Sequence, residues 1–342
     1  MAEKPRYVFE GEPVPGETRE VAPGVLWLRM TLPFKLDHIN LWLLADGDGW
    51  TAVDTGIARD ETKAAWEKIA ATHFQDRPLK RLIVTHFHPD HVGLAGWMTE
   101  RFDVPLWMPI MEWGTARTVS QDTSEETHAQ AMAFYRRSGF DAEQLATFDG
   151  RRNRYAANVS PIPESFRRYA DGDEIDIDGK AWRVIVGTGH SPEHACLHCE
   201  ALNVLISGDQ ILPRISPNVS VWPGEPDADP LARYLLSLKR FRGLPADTLV
   251  LPSHDWPFLG LPGRLDALAH HHVERLEETF AACADPSTGT EVLRQLFTRE
   301  LDPHQLMFAI GESLSHLNHL MGQGRIRREE RTDGVLLYRQ VG

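Results

Sequence analysis

Cysteine is scarce: Cys196, Cys199 and Cys283 are the three in 342 residues, too few for a disulfide framework. Cys196 and Cys199 form a C-x-x-C, but no second pair accompanies them. The surrounding "ACLHCEALNVLISGD" reads as two short strands and a turn, so a structural role is expected rather than redox or zinc-finger chemistry. Long apolar runs are missing too, and none approaches the roughly 20 residues that span a bilayer; no membrane association is expected. The N-terminal "MAEKPRYVFEGEPVPGE" is polar and Pro-rich, without the apolar centre of a signal peptide, which points to the cytoplasm. Positive charge is in deficit, with 36 Lys and Arg against 49 Asp and Glu and a net charge of −13. Such a surface repels phosphate backbones and argues against a nucleic-acid partner. Internal repeats and low-complexity segments are absent. Apolar residues are ample, at 42%, enough for one large domain and a smaller one.

The first part reads as β. "GVLWLRM", "INLWLLADG" and "WTAVDTG" are short apolar or alternating runs broken by Gly, Asp and Pro. "RDETKAAWEKIAATHF" then has helical spacing of Ala65, Trp66, Ile69 and Ala70. "LKRLIVT" is a buried strand and "VGLAGWMTERF" a helix. From about 110 to 170 the character is helix and loop, with the Arg-rich "GRRNRY" near its end, read as a solvated face, with contact to an anionic substrate such as a CoA or phosphoryl group as the alternative. Strands return in "DEIDIDGKAWRVIVGTGH", "NVLISGDQIL" and "TLVLPSHDW", and beyond 260 helices take over until a closing hairpin at Asp333-Gly334.

The loop between the "LIV" strand and its helix carries "THFHPDHVG": His86, His88, Asp90 and His91 within six positions. A stray histidine on a loop is ordinary; four ligand-type residues in a row are not. Distant companions each end an apolar β run. His190 follows "WRVIVGTG", Asp209 follows "NVLISG" and His254 follows "TLVLPS". Sixteen histidines scattered at random would not fall this way. Imidazoles and carboxylates at this density suit zinc or another first-row metal. Seven ligands fit two adjacent ions better than one, and Asp209 is the natural bridge, since a carboxylate can bind two cations.

"HFHPDH", with "TGH", "SGD" and "SH" downstream, resembles the H-x-H-x-D-H motif of the metallo-β-lactamase fold superfamily over roughly residues 20 to 260. The tail resembles the winged-helix domain appended to members near glyoxalase II and the β-lactamase-like-2 proteins. The resemblance implies an α/β fold, a four-layer αββα sandwich with a helical insertion and a small C-terminal winged-helix-like domain. The catalytic domain would span 1–260, its insert about 110–170, and the helical tail 261–342. It further implies that His86, His88 and His190 hold one metal and Asp90, His91 and His254 the second. Asp209 would bridge them, and Asp54 of "VDTG" would orient a ligand imidazole. His194 matches a helper position and is expected to be structural. Zinc is the first choice of metal, with iron or manganese as alternatives.

Three departures refine the expected activity. Asp209 stands where one subclass of β-lactamases carries Cys, His88 is not the Glu of the flavodiiron oxidoreductases, and Leu212 stands where acylhomoserine lactonases carry a Tyr. The reading is therefore a dinuclear hydrolase of esters or thioesters, in which two ions activate a bridging water and Asp90 relays a proton. The alternatives are a phosphodiesterase or nuclease of the same fold, a lactonase, and a non-catalytic metal-binding regulator. A small-molecule acyl substrate is expected, and a homodimer is compatible with this reading. The insert would act as a lid, with Trp107, Trp113, Phe134, Tyr135 and Tyr155 available to wall the pocket and His38 able to reach it from the N-terminal hairpin. The segment 289–342 has seven Arg and no Lys against seven acidic residues. Its helix "SLSHLNHLM" lacks the cations that grip DNA, so an interface or lid role is expected.

Overall fold

The computed structural model describes residues 4–150 and 153–342; Arg151 and Arg152 of the Arg-rich run lie outside the described residues. The chain resolves into two compact units. The first comprises 1–121, 153–217 and 240–265, and the second 122–152, 218–239 and 266–342.

Unit 1 holds two seven-stranded sheets. One runs in spatial order Arg19–Ala22, Val25–Thr31, His38–Asp46, Gly49–Val53, Leu79–Ile83, Leu106–Met108 and Arg167–Arg168. It is antiparallel up to Gly49–Val53 and parallel from there. The other runs Arg6–Tyr7, Phe258–Leu259, Leu249–Pro252, Val204–Gly208, His194–Cys199, Lys180–Gly187 and Glu174–Ile177. It is antiparallel except where Val204–Gly208 lies parallel to Leu249–Pro252.

Alternation along the first sheet explains why its strands are apolar on both faces. Trp27, Trp42, Val53 and Ile83 point between the sheets, where they meet Trp182, Val184, Leu197, Ile206 and Leu251. Leu28, Leu41, Leu43 and Leu82 point the other way, onto helix residues Ala65, Trp66, Ile69, Ala95 and Met98. A strand buried on both sides reads as a near-continuous apolar run, which is what "INLWLLA" is. The helix Asp60–His73 lays down the spacing expected of it, burying Ala65, Trp66 and Ile69. Full burial of each large side chain contributes about 1.5–3 kcal/mol. These two mixed sheets flanked by helices, with a helical C-terminal domain, form the αββα sandwich.

Unit 2 is built from three separate stretches of the chain. The helices Glu125–Arg137 and Ala142–Asp149, expected to be a lid over the site, belong here. Their partners lie far along the chain: Thr290 Oγ1 donates to Gly139 O at 2.9 Å and Arg137 pairs with Glu330 at 3.1 Å. Local sequence caps the helices, with Asp141/Gln144, Thr288/Glu291 and Asp302/Gln305 each forming a reciprocal capping box. Two helices, Gly289–Leu296 and Pro303–Gly322, precede the hairpin Ile326–Glu330 and Leu336–Gln340. In "SLSHLNHLM", Leu314, His316, Leu317, Asn318 and Leu320 are buried. That stretch is the packed centre of the unit and presents no open face to a groove. Among the described residues no helix is long and apolar enough to cross a membrane.

Candidate metal centre

Parallel strands place the site. Val53 pairs in register with Ile83 in a parallel ladder, so the chain leaves both strands on one edge and delivers Asp54 and the 86–91 loop side by side. In the other sheet Gly208 is level with Pro252 of a parallel neighbour, which delivers Asp209 beside His254. The antiparallel strand Lys180–Gly187 ends opposite His194, and its turn carries His190. The two edges are tied across the sandwich by Ala195 N donating to Thr85 O at 3.0 Å and Asn40 N donating to Ser253 O at 2.7 Å.

Seven side chains gather there in two groups, His86, His88, His190 and Asp209, and Asp90, His91 and His254; within each group one potential ligand atom per residue lies within 4.8 Å of the others. His86 Nε2 is 3.0 Å from His88 Nδ1 and 3.3 Å from His190 Nε2. Asp90 Oδ2 is 3.5 Å from His254 Nε2 and 3.8 Å from His91 Nε2. Asp209 touches both groups: Oδ2 is 3.4 Å from His190 Nε2, while Oδ1 is 3.4 Å from both His91 Nε2 and His254 Nε2. One carboxylate between two imidazole clusters is the arrangement of a dinuclear site.

The donor set fits two divalent cations. His91 Nε2, His88 Nε2 and Asp209 Oδ1 are buried and make no hydrogen bond, and orphaned buried polar atoms are rare enough to need a partner. For His91 Nε2 and Asp209 Oδ1, which face each other across the site at 3.4 Å, a cation would supply that partner. Burial pushes His86 and His88 well below the usual histidine range, and neighbouring imidazoles push them further; neutral imidazole is the form that ligates. Burial acts the same way on His91 but is outweighed by Asp54, Asp209 and Asp90, which raise it. For Asp209 burial opposes ionisation, yet His254 and His91 hold its carboxyl well below the carboxylate range.

Surrounding groups fix the ligands. Asp54, in the left-handed region at φ 64°, accepts from His91 Nδ1 at 2.8 Å and from Thr85 N at 2.8 Å. That bond puts the proton on Nδ1 and leaves Nε2 to the site. Asp54→Asn keeps a residue tolerant of this backbone but removes the charge. Metal affinity should fall about 10–100-fold, as for other outer partners of ligands, in a competition titration; unchanged affinity would deny Asp54 the role. His254 Nδ1 is held by the His38 carbonyl at 2.8 Å. His194 is structural in a definite sense, since its Nε2 accepts from Asp209 N at 3.0 Å. The ring lies so close to Gly208 that an added Cβ would sit 2.4 Å from it, and Gly208 also has φ +52°, so only glycine serves there.

The aromatic candidates for a substrate wall are mostly engaged in packing. Tyr135 lies in unit 2, stacked on Phe148 with centroids 4.8 Å apart. Trp113 stacks on Phe166 at 4.4 Å and donates to Pro163 O at 2.9 Å. Trp107 packs against the core between the sheets, with Arg81 and Arg167 over its ring. Phe134 makes an edge contact with Tyr135 at 5.4 Å. Tyr155 stays next to the site, its hydroxyl donating to Phe87 O at 2.5 Å. His38 is there too, but through its backbone carbonyl and through a ring that accepts from Asp255 N at 2.8 Å.

Sequence reasoning missed Glu112. It is 0% exposed and accepts from Phe87 N at 2.9 Å, Ser191 Oγ at 2.7 Å and Glu193 N at 2.5 Å. Burial pushes its carboxyl up to about 7, although those three hydrogen bonds pull the other way. Nothing local marks it, since one Glu in "IMEWGTARTVSQ" looks like any surface helix residue.

Residues 35–254 match the model of the metallo-beta-lactamase superfamily, and 276–341 match that of the metallo-beta-lactamase-like C-terminal domain. Among solved structures, a beta-lactamase domain protein from Burkholderia ambifaria is 45% identical with a TM-score of 0.92, covering 98% of this chain and 98% of that one. A metallo-beta-lactamase family protein from Thermus thermophilus is 28% identical with a TM-score of 0.80, covering 94% and 100%. The probable metallo-hydrolase YqjP of Bacillus subtilis is 25% identical over 316 residues, 88% of this chain and 93% of that protein. With its sandwich, its two ligand clusters and its C-terminal domain, the chain belongs to the metallo-beta-lactamase superfamily and carries that family's dinuclear metal site.

Proposed function

We propose that this metal-dependent hydrolase cleaves a small ester or thioester, in the manner of the glyoxalase II and β-lactamase-like-2 branch, with zinc as its metal. The observation that carries the reading is the shared Asp209 carboxylate between two histidine clusters at a strand-end rim. When bound, two divalent ions supply a water acidified to near neutrality and an electrophile for the substrate oxygen. The chain's own residues do the rest. Asp209 and the six other ligands fix where water and carbonyl meet. The water oxygen bonds to the acyl carbon, the C–S or C–O bond breaks, and Asp90, 19% exposed at its side chain, passes the proton to the departing thiolate or alkoxide. Leu212 is buried and offers no hydroxyl to the reaction; its carbonyl is engaged by Arg264 Nε at 2.5 Å. That favours an open-chain acyl group over a lactone.

The net charge of −13 and the packed "SLSHLNHLM" helix favour a small molecule over a polynucleotide. Three buried, unpaired cysteines are compatible with the reducing cytoplasm. A panel of acyl-glutathione, acyl-CoA, p-nitrophenyl ester, lactone and bis-p-nitrophenyl phosphate at matched metal loading tests the proposal. Acyl turnover should exceed phosphodiester turnover. Robust cleavage of single-stranded RNA without acyl activity would reverse the assignment.

A further inference from the structure

We infer that Glu112 and Tyr155 are positioning residues that clamp the His86/His88/His190 half of the centre, and thereby set its metal affinity separately from the Asp90/His91/His254 half. Phe87, the residue between His86 and His88, has the peptide group on each side of it held. Its N–H donates to Glu112 Oε2 at 2.9 Å and its carbonyl accepts from Tyr155 at 2.5 Å; the Phe87 and Tyr155 rings also stack, 6.1 Å apart at 29°. With both peptide groups hydrogen-bonded, rotation of the backbone that carries the His86 and His88 imidazoles is restrained.

The same carboxylate reaches the second ligand loop. Glu112 Oε1 accepts from Ser191 Oγ at 2.7 Å and from Glu193 N at 2.5 Å, one and three residues beyond His190. The loop answers in kind, since the Glu193 side chain accepts from Met111 N at 2.9 Å. Glu112 therefore joins two loops about a hundred residues apart in sequence, and the residues it holds flank the three histidines of one half-site. On the other half the bracing comes from Asp54 on His91 and the His38 carbonyl on His254. The three protein donors on this buried carboxylate account for its place in the fold, since none of those bonds goes to a cation and all three secure segments that present ligands.

Glu112→Gln preserves volume but turns one acceptor into an N–H₂ that faces a donor, and Tyr155→Phe removes only the hydroxyl. The experiment strips metal from full-length protein and titrates each variant with Co²⁺, reading the visible d–d bands and the affinity of each equivalent by chelator competition. Glu112→Gln should weaken one equivalent about 10–100-fold and alter its spectrum, with the other within about 3-fold. Tyr155→Phe should weaken the same equivalent by less, and Asp54→Asn should weaken the other one. Should Glu112→Gln fail to fold, Tyr155→Phe decides alone. Equal loss at both equivalents, or no change at either, overturns the clamp. The inference rests on the two-metal reading and not on the acyl substrate. Wild type that binds no metal would overturn that reading itself, whereas variants binding like wild type would overturn the clamp alone.

Discussion

Asp209→Asn is expected to lower kcat by at least about 10²-fold, the scale of losing an electrostatic catalytic element, while the metal-free protein melts close to wild type. The two carboxylate oxygens face different clusters, Oδ2 toward His190 and Oδ1 toward His91 and His254, each at 3.4 Å. The amide keeps the volume but removes the one charge shared by two cations, which then repel each other more strongly, so the second binds more weakly. Folding changes little, because Val204–Gly208 is fully buried whatever follows it and the Asp209 backbone stays held by His194. Asp178→Asn is the control. Asp178 sits at φ 57° in a hairpin turn and accepts from Gly47 N at 3.1 Å; asparagine suits that backbone and keeps the acceptor, so activity should hold. Steady-state kinetics with metal analysis decides. Near wild-type turnover by Asp209→Asn with both ions bound would end the dinuclear mechanism.

Exhaustive chelation is expected to abolish turnover and to release close to two metal equivalents per chain, with activity returning when metal is restored. It should also cost stability. A ligand present at 1,000 times its Kd contributes about 4 kcal/mol to the folded state, and stripping it leaves the buried Asp209 carboxylate without a cation to offset its charge. Elemental analysis, activity and thermal unfolding before and after chelation measure all three effects. Active protein carrying well under one equivalent, or full activity after chelation, would count decisively against a metal-dependent reaction.

The seven candidate ligands were legible because they gather in loops that follow apolar runs of strand character, and strand pairing turns that sequence coincidence into a spatial one. Asp54 was legible only through the family motif; alone, "VDTG" is an unremarkable turn. Glu112 was hidden because its partners are 25, 79 and 81 residues away, and neither spacing nor polarity in its own helix signals burial. The grouping of the helices within 122–150 was not legible for a related reason. Their apolar residues, among them Tyr135, Phe140 and Phe148, mark a face that must be covered, but sequence does not say by what. They cover one another and share a unit with residues beyond 266.

The discontinuous make-up of unit 2 has a consequence in time. Arg137 meets Glu330, 193 positions later, and Gly139 meets Thr290, 151 positions later. At about 5–20 residues per second on the ribosome, the helices of 122–152 emerge roughly 10–40 s before the last of the segments that complete their unit. During that interval the two helices have each other but lack the partners supplied by residues beyond 266. Completion of unit 2 is thus expected to come late in synthesis, and a slowly translated stretch between 150 and 290 would lengthen the wait.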